Sequence, residues 1–81
     1  MTRNEIKETL VQIIIKVKKT IYNEEIEEDF YLGGDMGVTS VEMLECMFVI
    51  QKTLNIQLDD TELQGLYQVK DVIDLVENKL S

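Results

Sequence analysis

Residues 33–44 read GGDMGVTSVEML, and this stretch decides how the chain is organised. Glycines mark the end of a segment without apolar periodicity, and a run with helical apolar periodicity begins directly after it. The four residues from Thr39 to Glu42 match a capping box, in which Thr39 caps a helix and the Glu42 carboxylate reaches back from the third helical position. The stretch therefore predicts a long loop followed by a helix over about 40–54.

The composition indicates one globular domain over residues 1–81 with one small core, since 44% of the residues are hydrophobic. No apolar run approaches the ~20 residues of a membrane span. The chain has no histidine, which removes the commonest general base and metal ligand. Its single cysteine, Cys46, can form neither an internal disulfide nor a thiolate zinc site, and we expect it to be a small buried hydrophobe. We expect a cytoplasmic protein with no metal site and no catalytic residues.

The formal net charge of −8 is distributed unevenly along the chain. Most basic residues lie before residue 24, and acidic residues dominate after it. Nucleic-acid binding requires clustered lysine and arginine, so this distribution argues against it. A positively charged protein surface is the expected partner instead.

Apolar periodicity predicts three further helices. The first runs over about 4–20, a short acidic helix of two turns lies within 59–67 with Asp59 or Asp60 as its cap, and the last runs over about 69–79. The expected apolar face of the first comprises Ile6, Leu10, Ile13, Ile14, Val17 and Ile21; that of the last comprises Val69, Val72, Ile73, Val76 and Leu80. Ile26 and Leu32 should anchor the long loop. The predicted fold is an all-α four-helix bundle, with three main helices, a short third helix and a long loop between helices 1 and 2.

The helix over 40–54 carries two apolar arcs when residues are placed 100° apart. The first arc, predicted to be core, contains Met43, Cys46, Met47, Ile50 and Leu54. The second lies roughly 120° away and contains Val41, Leu44 and Phe48, with Glu42 and Glu45 beside it. Exposed apolar residues rimmed by charge are typical of a docking surface. The alternative is a central helix that is buried all round.

Ser40 allows two interpretations. Helix capping alone accounts for the local residue types. A capping box led by Thr39, however, leaves Ser40 at the first helical position, where its hydroxyl has no capping role. A helix N-terminus favours phosphate, so a serine there can hold a phosphate-linked group. Hydrolytic chemistry is not expected, because no histidine is available to activate the hydroxyl.

The stretch DMGVTSVEML resembles the attachment motif of acyl carrier proteins, D-x-G-x-D-S-L followed by the second helix. Asp35, Gly37 and Ser40 match that motif, whereas Thr39 replaces the usual Asp and Val41 the usual Leu. The similarity continues through LNIQL and through the final VKDVIDLVENKL, although Gln68 stands where the family often has a capping Thr.

This resemblance implies that a phosphopantetheinyl transferase uses coenzyme A and Mg²⁺ to attach 4′-phosphopantetheine to Ser40. The arm then carries acyl groups as thioesters to acyl-transferring or condensing enzymes, and the carrier itself is not an enzyme. In that family helix 2 is the recognition helix, so the second arc would enter apolar pockets of partners. Glu42 and Glu45 would meet their Arg and Lys residues. A monomer that binds no membrane is expected.

Several departures from the family pattern bear on the pathway. Thr39 removes one acid next to the arm, Gln51 and Lys52 stand where housekeeping fatty-acid carriers usually have acids, and helix 1 is basic. These features favour a specialised polyketide, peptide or modified-lipid pathway. The alternatives are a housekeeping fatty-acid carrier and a small acidic interaction module without a prosthetic group.

Overall fold

The structure is a computed structural model that describes residues 1–81. It contains four helices: α1 (Arg3–Lys18), α2 (Ser40–Leu54), α3 (Asp60–Leu63) and α4 (Val69–Leu80). The backbone forms no sheet, and its one β-type pairing is an isolated antiparallel bridge between Tyr31 and Gln68. The predicted all-α bundle with a long first loop is therefore confirmed, and α2 has the predicted bounds.

The other helix ends differ slightly from the prediction. Thr2 and Glu5 form a capping box that starts α1 one residue early. Lys19 adopts a left-handed conformation (φ 56°) and ends the helix, so Ile21 lies beyond it. Ile21 is 76% exposed, and its assignment to the apolar face was wrong. The third helix has one turn rather than two, and Asp59 caps it.

The core consists of 16 buried residues, all of them apolar. Helix α1 packs against both α2 and α4. The helical part of the core is formed by Ile6, Leu10, Ile13 and Ile14 of α1, Cys46, Met47 and Ile50 of α2, and Val69, Val72, Ile73 and Val76 of α4. Leu80 departs from the predicted stripe and is exposed, because it occupies the last position of α4.

The long loop is fixed to the bundle by buried side chains and hydrogen bonds. Ile26 and Leu32 are buried, as predicted. The Tyr22 hydroxyl donates to the Met36 carbonyl (2.8 Å), and the Leu32 amide donates to the Tyr67 carbonyl (2.8 Å). The first bond joins two parts of the loop itself, and the second ties the loop to the α3–α4 connection.

Arg3, at the start of α1, forms ion pairs with the long loop and with α4. Its guanidinium pairs with Glu28 of the loop and with Asp74 and Glu77 of α4. These hydrogen bonds raise the pKa of Arg3 and, conversely, lower that of Glu28. The cluster links three segments that are distant in sequence, but it is partly exposed and screened by solvent.

Candidate functional site

The hydrogen bonds at the start of α2 show that Thr39, and not Ser40, caps the helix. The Thr39 hydroxyl accepts from the Glu42 amide (3.2 Å), and the Glu42 carboxylate accepts from the Thr39 amide (2.9 Å). The predicted capping box is thus confirmed. Ser40 occupies the first helical position and is exposed. Its hydroxyl therefore has no capping role and faces solvent.

Two motif residues shape the turn that leads into α2. Gly37 lies at φ 71°, in the left-handed region where residues with a Cβ are disfavoured. The Asp35 carboxylate accepts from the Tyr31 amide (2.7 Å), which closes the turn. Both residues therefore have structural roles that bring the chain to Ser40.

A charged contact flanks the serine on the side of α1. The Lys18 ammonium donates to the Gly37 carbonyl (2.7 Å) and to the Glu42 carboxylate (3.0 Å). The Thr39 amide and the Lys18 ammonium together hold the pKa of Glu42 below its ordinary value. The Glu42 side chain is only 25% exposed, so its carboxylate is largely occupied within the chain. Glu45, by contrast, is exposed.

Replacing Thr39 by alanine should show which of Thr39 and Ser40 caps α2. The substitution removes the acceptor for the Glu42 amide, and we expect a loss of about 1 kcal/mol in the free energy of unfolding. Ser40→Ala should have a much smaller effect. Urea titrations of both variants measure the difference, and the reverse ranking would identify Ser40 as the true cap.

The second apolar arc of α2 lies on the surface. Val41, Leu44 and Phe48 are 66%, 60% and 59% exposed. The alternative of a helix buried all round is therefore wrong. We call this exposed arc the docking strip. The Lys52 ammonium lies 4.5 Å from the centre of the Phe48 ring in a cation–π contact, which places a positive charge at one end of the strip.

The first arc faces the core in part. Cys46, Met47 and Ile50 are buried, whereas Met43 and Leu54 are half-buried and pack against the core. Burial raises the pKa of the Cys46 thiol to about 11, which keeps it protonated and unreactive near neutral pH. Cys46 is thus the buried hydrophobe that was expected.

A cleft of about 530 Å³ opens beside Ser40, between the loop, α2 and α3. Most of its lining is apolar and includes Met43, Met47, Leu63 and Leu66. Gly33 and Gly34 line it too, and neither has a positive φ. A Cβ would lie 3.8 Å from its nearest neighbour at Gly33 and 3.6 Å at Gly34, so the backbone tolerates side chains there. The backbone therefore does not require glycine at either position.

This cleft could not be recognised from the order of the residues. Its walls come from segments that are distant in the sequence, and periodicity assigned both methionines simply to the core. The clustering of flexible methionines on one helix was the available signal, because such side chains commonly line adaptable apolar sites.

These features define a class of protein, a small helical bundle with an exposed serine at the start of α2 and exposed apolar residues along the same helix. Comparisons place it more closely. The acyl carrier protein of Nitratidesulfovibrio vulgaris is 31% identical over 70 residues, covering 79% of this chain and 92% of that relative. The acyl carrier protein of Coprothermobacter proteolyticus is 29% identical over 67 residues, covering 83% and 82%.

The fold agrees with a crystal structure of an acyl carrier protein from Thermotoga maritima. That structure superposes with a TM-score of 0.85 at 23% identity, covering 96% of this chain and 89% of the other. No protein-family model matches the chain. The chain belongs to the acyl carrier protein family, and its role is that of a carrier. None of its helices has the length and hydropathy needed to cross a membrane.

Proposed function

We propose that residues 1–81 form a single carrier domain in which Ser40 bears 4′-phosphopantetheine. The observation that carries this proposal is the exposed Ser40 hydroxyl at the first position of α2, with the capping role held by Thr39. The residues fit such a group, since the hydroxyl is accessible and an apolar cleft adjoins it. The arm supplies a terminal thiol that forms thioesters with acyl groups. The chain's own residues position the attachment point and present it to partners.

The cleft supports a role in handling the cargo. Its apolar lining beside Ser40 can shelter the hydrocarbon part of a tethered acyl group from water. A tethered group is also delivered at high effective concentration to any enzyme that docks. Catalysis belongs to those enzymes, because the carrier has no histidine and its only thiol is buried and protonated.

We assign partner docking to the exposed strip on α2. Val41, Leu44 and Phe48 supply the apolar contacts, and Glu45 supplies an exposed carboxylate for Arg or Lys residues of partners. Glu42 lies at the edge of this surface, with its carboxylate held by Lys18. The partners are a phosphopantetheinyl transferase and acyl-transferring or condensing enzymes.

The distal end of the strip supports a specialised pathway of polyketide, peptide or modified-lipid assembly. Lys52 is exposed and places a cation there, next to the Phe48 ring. Gln51 has a structural role, because its side chain donates to the Met47 carbonyl (3.2 Å) and accepts from the Leu58 amide (2.9 Å). Lys52 is therefore the residue most able to reduce binding to enzymes that require an acidic helix 2.

Lys52→Glu tests the pathway assignment. We expect it to improve acyl transfer to the loaded carrier by enzymes of a housekeeping fatty-acid synthase by about 3- to 10-fold, because a repulsive charge becomes attractive. Lys16→Glu, on exposed α1 surface, is the matched control. If these enzymes transfer acyl groups to the wild-type protein as fast as to their own carrier, the protein is a housekeeping fatty-acid carrier instead.

The central proposal is tested by incubating the protein with coenzyme A, Mg²⁺ and a broad-specificity phosphopantetheinyl transferase and then measuring its mass. Gain of one phosphopantetheine supports the carrier function. No gain under conditions that load a known carrier protein would favour an interaction module without a prosthetic group.

A further inference from the structure

Lys18 connects three parts of the molecule that meet around Ser40. It is the last residue of α1, and its side chain is only 19% exposed. Its ammonium contacts the Gly37 carbonyl at the end of the long loop (2.7 Å) and the Glu42 carboxylate in the first turn of α2 (3.0 Å). One charged group thus joins α1 to both sides of the attachment point.

The two residues that Lys18 contacts lie on either side of Ser40 in the sequence. Gly37 precedes the serine by three residues, and Glu42 follows it by two. The Glu42 oxygen that binds Lys18 also accepts from the Thr39 amide (2.9 Å), so the lysine supports the capping box from outside. Charge-assisted hydrogen bonds of this kind are roughly twice as strong as neutral ones. The direction in which α2 begins therefore depends on a residue of α1.

We infer that Lys18 is a positioning residue for the loading of Ser40, an inference that rests on the proposed carrier function. It holds the first turn of α2 in the orientation that presents the hydroxyl. It also keeps the Glu42 carboxylate against α1, so that Glu45 is the exposed acid on the docking strip. Loading places a phosphodiester anion on Ser40, and the Lys18 ammonium offsets the negative charge that Glu42 contributes to the same helical turn.

The neighbouring lysines provide a contrast. Lys16 and Lys19 lie within two residues of Lys18 and carry the same charge, but both are exposed. The ion pairs of the chain include Lys18 with Glu42 and none with Lys16 or Lys19. A general effect of positive charge on α1 would thus be shared by all three residues, whereas a positioning effect belongs to Lys18.

The test compares Lys18→Met with Lys16→Met and with the conservative Lys18→Arg. We expect Lys18→Met to lower kcat/KM for loading by about 5- to 10-fold, because small displacements of a reacting group slow group transfer strongly. Lys16→Met should remain within about twofold of wild type, and Lys18→Arg should recover most of the loss since its guanidinium can still donate to carbonyl and carboxylate. Adding Glu42→Gln to Lys18→Met should cause little further loss, as expected for two residues that act as a pair.

Amide hydrogen exchange gives a readout that does not depend on loading. In Lys18→Met, exchange of the Thr39 and Glu42 amides should accelerate about tenfold relative to the amides of Ile73 and Val76 in the α4 core. Equal acceleration at all four amides would show general destabilisation and overturn the inference. So would loading of Lys18→Met at the rate of Lys16→Met, or failure of Lys18→Arg to recover activity. If wild-type protein is not loaded at all, the carrier proposal fails, and the exchange experiment still decides whether Lys18 orders the start of α2.

Discussion

Ser40→Ala is expected to abolish loading with phosphopantetheine while leaving the fold intact. The substitution removes the only hydroxyl proposed to accept the arm. Its effect on stability should stay within about 0.5 kcal/mol, the usual range for surface positions, because Ser40 is exposed and Thr39 caps the helix. Intact-protein mass after incubation with the transferase, coenzyme A and Mg²⁺ measures loading, and a urea titration measures the free energy of unfolding.

Thr39 is the rival acceptor, since its hydroxyl is adjacent. That hydroxyl already accepts from the Glu42 amide, which holds it against the helix backbone. Thr39→Ala should therefore still be loaded, although it is less stable. Mass gain by Ser40→Ala would contradict the assignment and move the attachment site to another hydroxyl.

Ile50→Ala and Leu44→Ala should have opposite effects, although the two residues lie on the same helix. Ile50 is fully buried, and truncating such a side chain typically costs about 2–5 kcal/mol, a large share of the ~5 kcal/mol that stabilises a small domain. Leu44 is 60% exposed, so its truncation should change the free energy of unfolding by less than about 0.5 kcal/mol.

For the rate of loading, Leu44→Ala should have the larger effect of the two. We expect Leu44→Ala to reduce kcat/KM for loading about tenfold, since apolar anchors near the centre of an interface contribute most of its binding energy. Loading of Ile50→Ala should follow only the fraction of protein that remains folded. Urea midpoints and loading rates of both variants provide the comparison. If Leu44→Ala unfolds as readily as Ile50→Ala, the docking strip belongs to the core.

Features that depend on nearby residues could be predicted from the sequence alone. The start of α2 rests on Thr39 and Glu42, three residues apart, and the structure contains both predicted hydrogen bonds. The angular spacing of a helix places Val41, Leu44 and Phe48 on a separate arc from Met47 and Ile50, and the packing of α2 leaves that arc exposed. Periodicity also identified every buried residue of α1 and α4, and its errors were the exposed Ile21 and Leu80.

The error at Ile21 shows the limit of periodicity. The apolar repeat extends to this residue, but Lys19 adopts a left-handed conformation and ends α1 before it. Non-glycine residues reach that conformation only occasionally, so nothing in the residue types indicated the stop. A repeating pattern shows which face a helix would bury and leaves the end of the helix undefined.

Other features depend on the packing of distant segments. Lys18 and Glu42 are 24 residues apart, and the pair forms because α1 packs along α2. The cleft beside Ser40 likewise needs the loop, α2 and α3 to meet. Capping and periodicity act within about four residues, so they are visible in the residue order. Ion pairs and cavities between elements depend on how the helices are placed against one another, and this placement follows from the burial of the whole core.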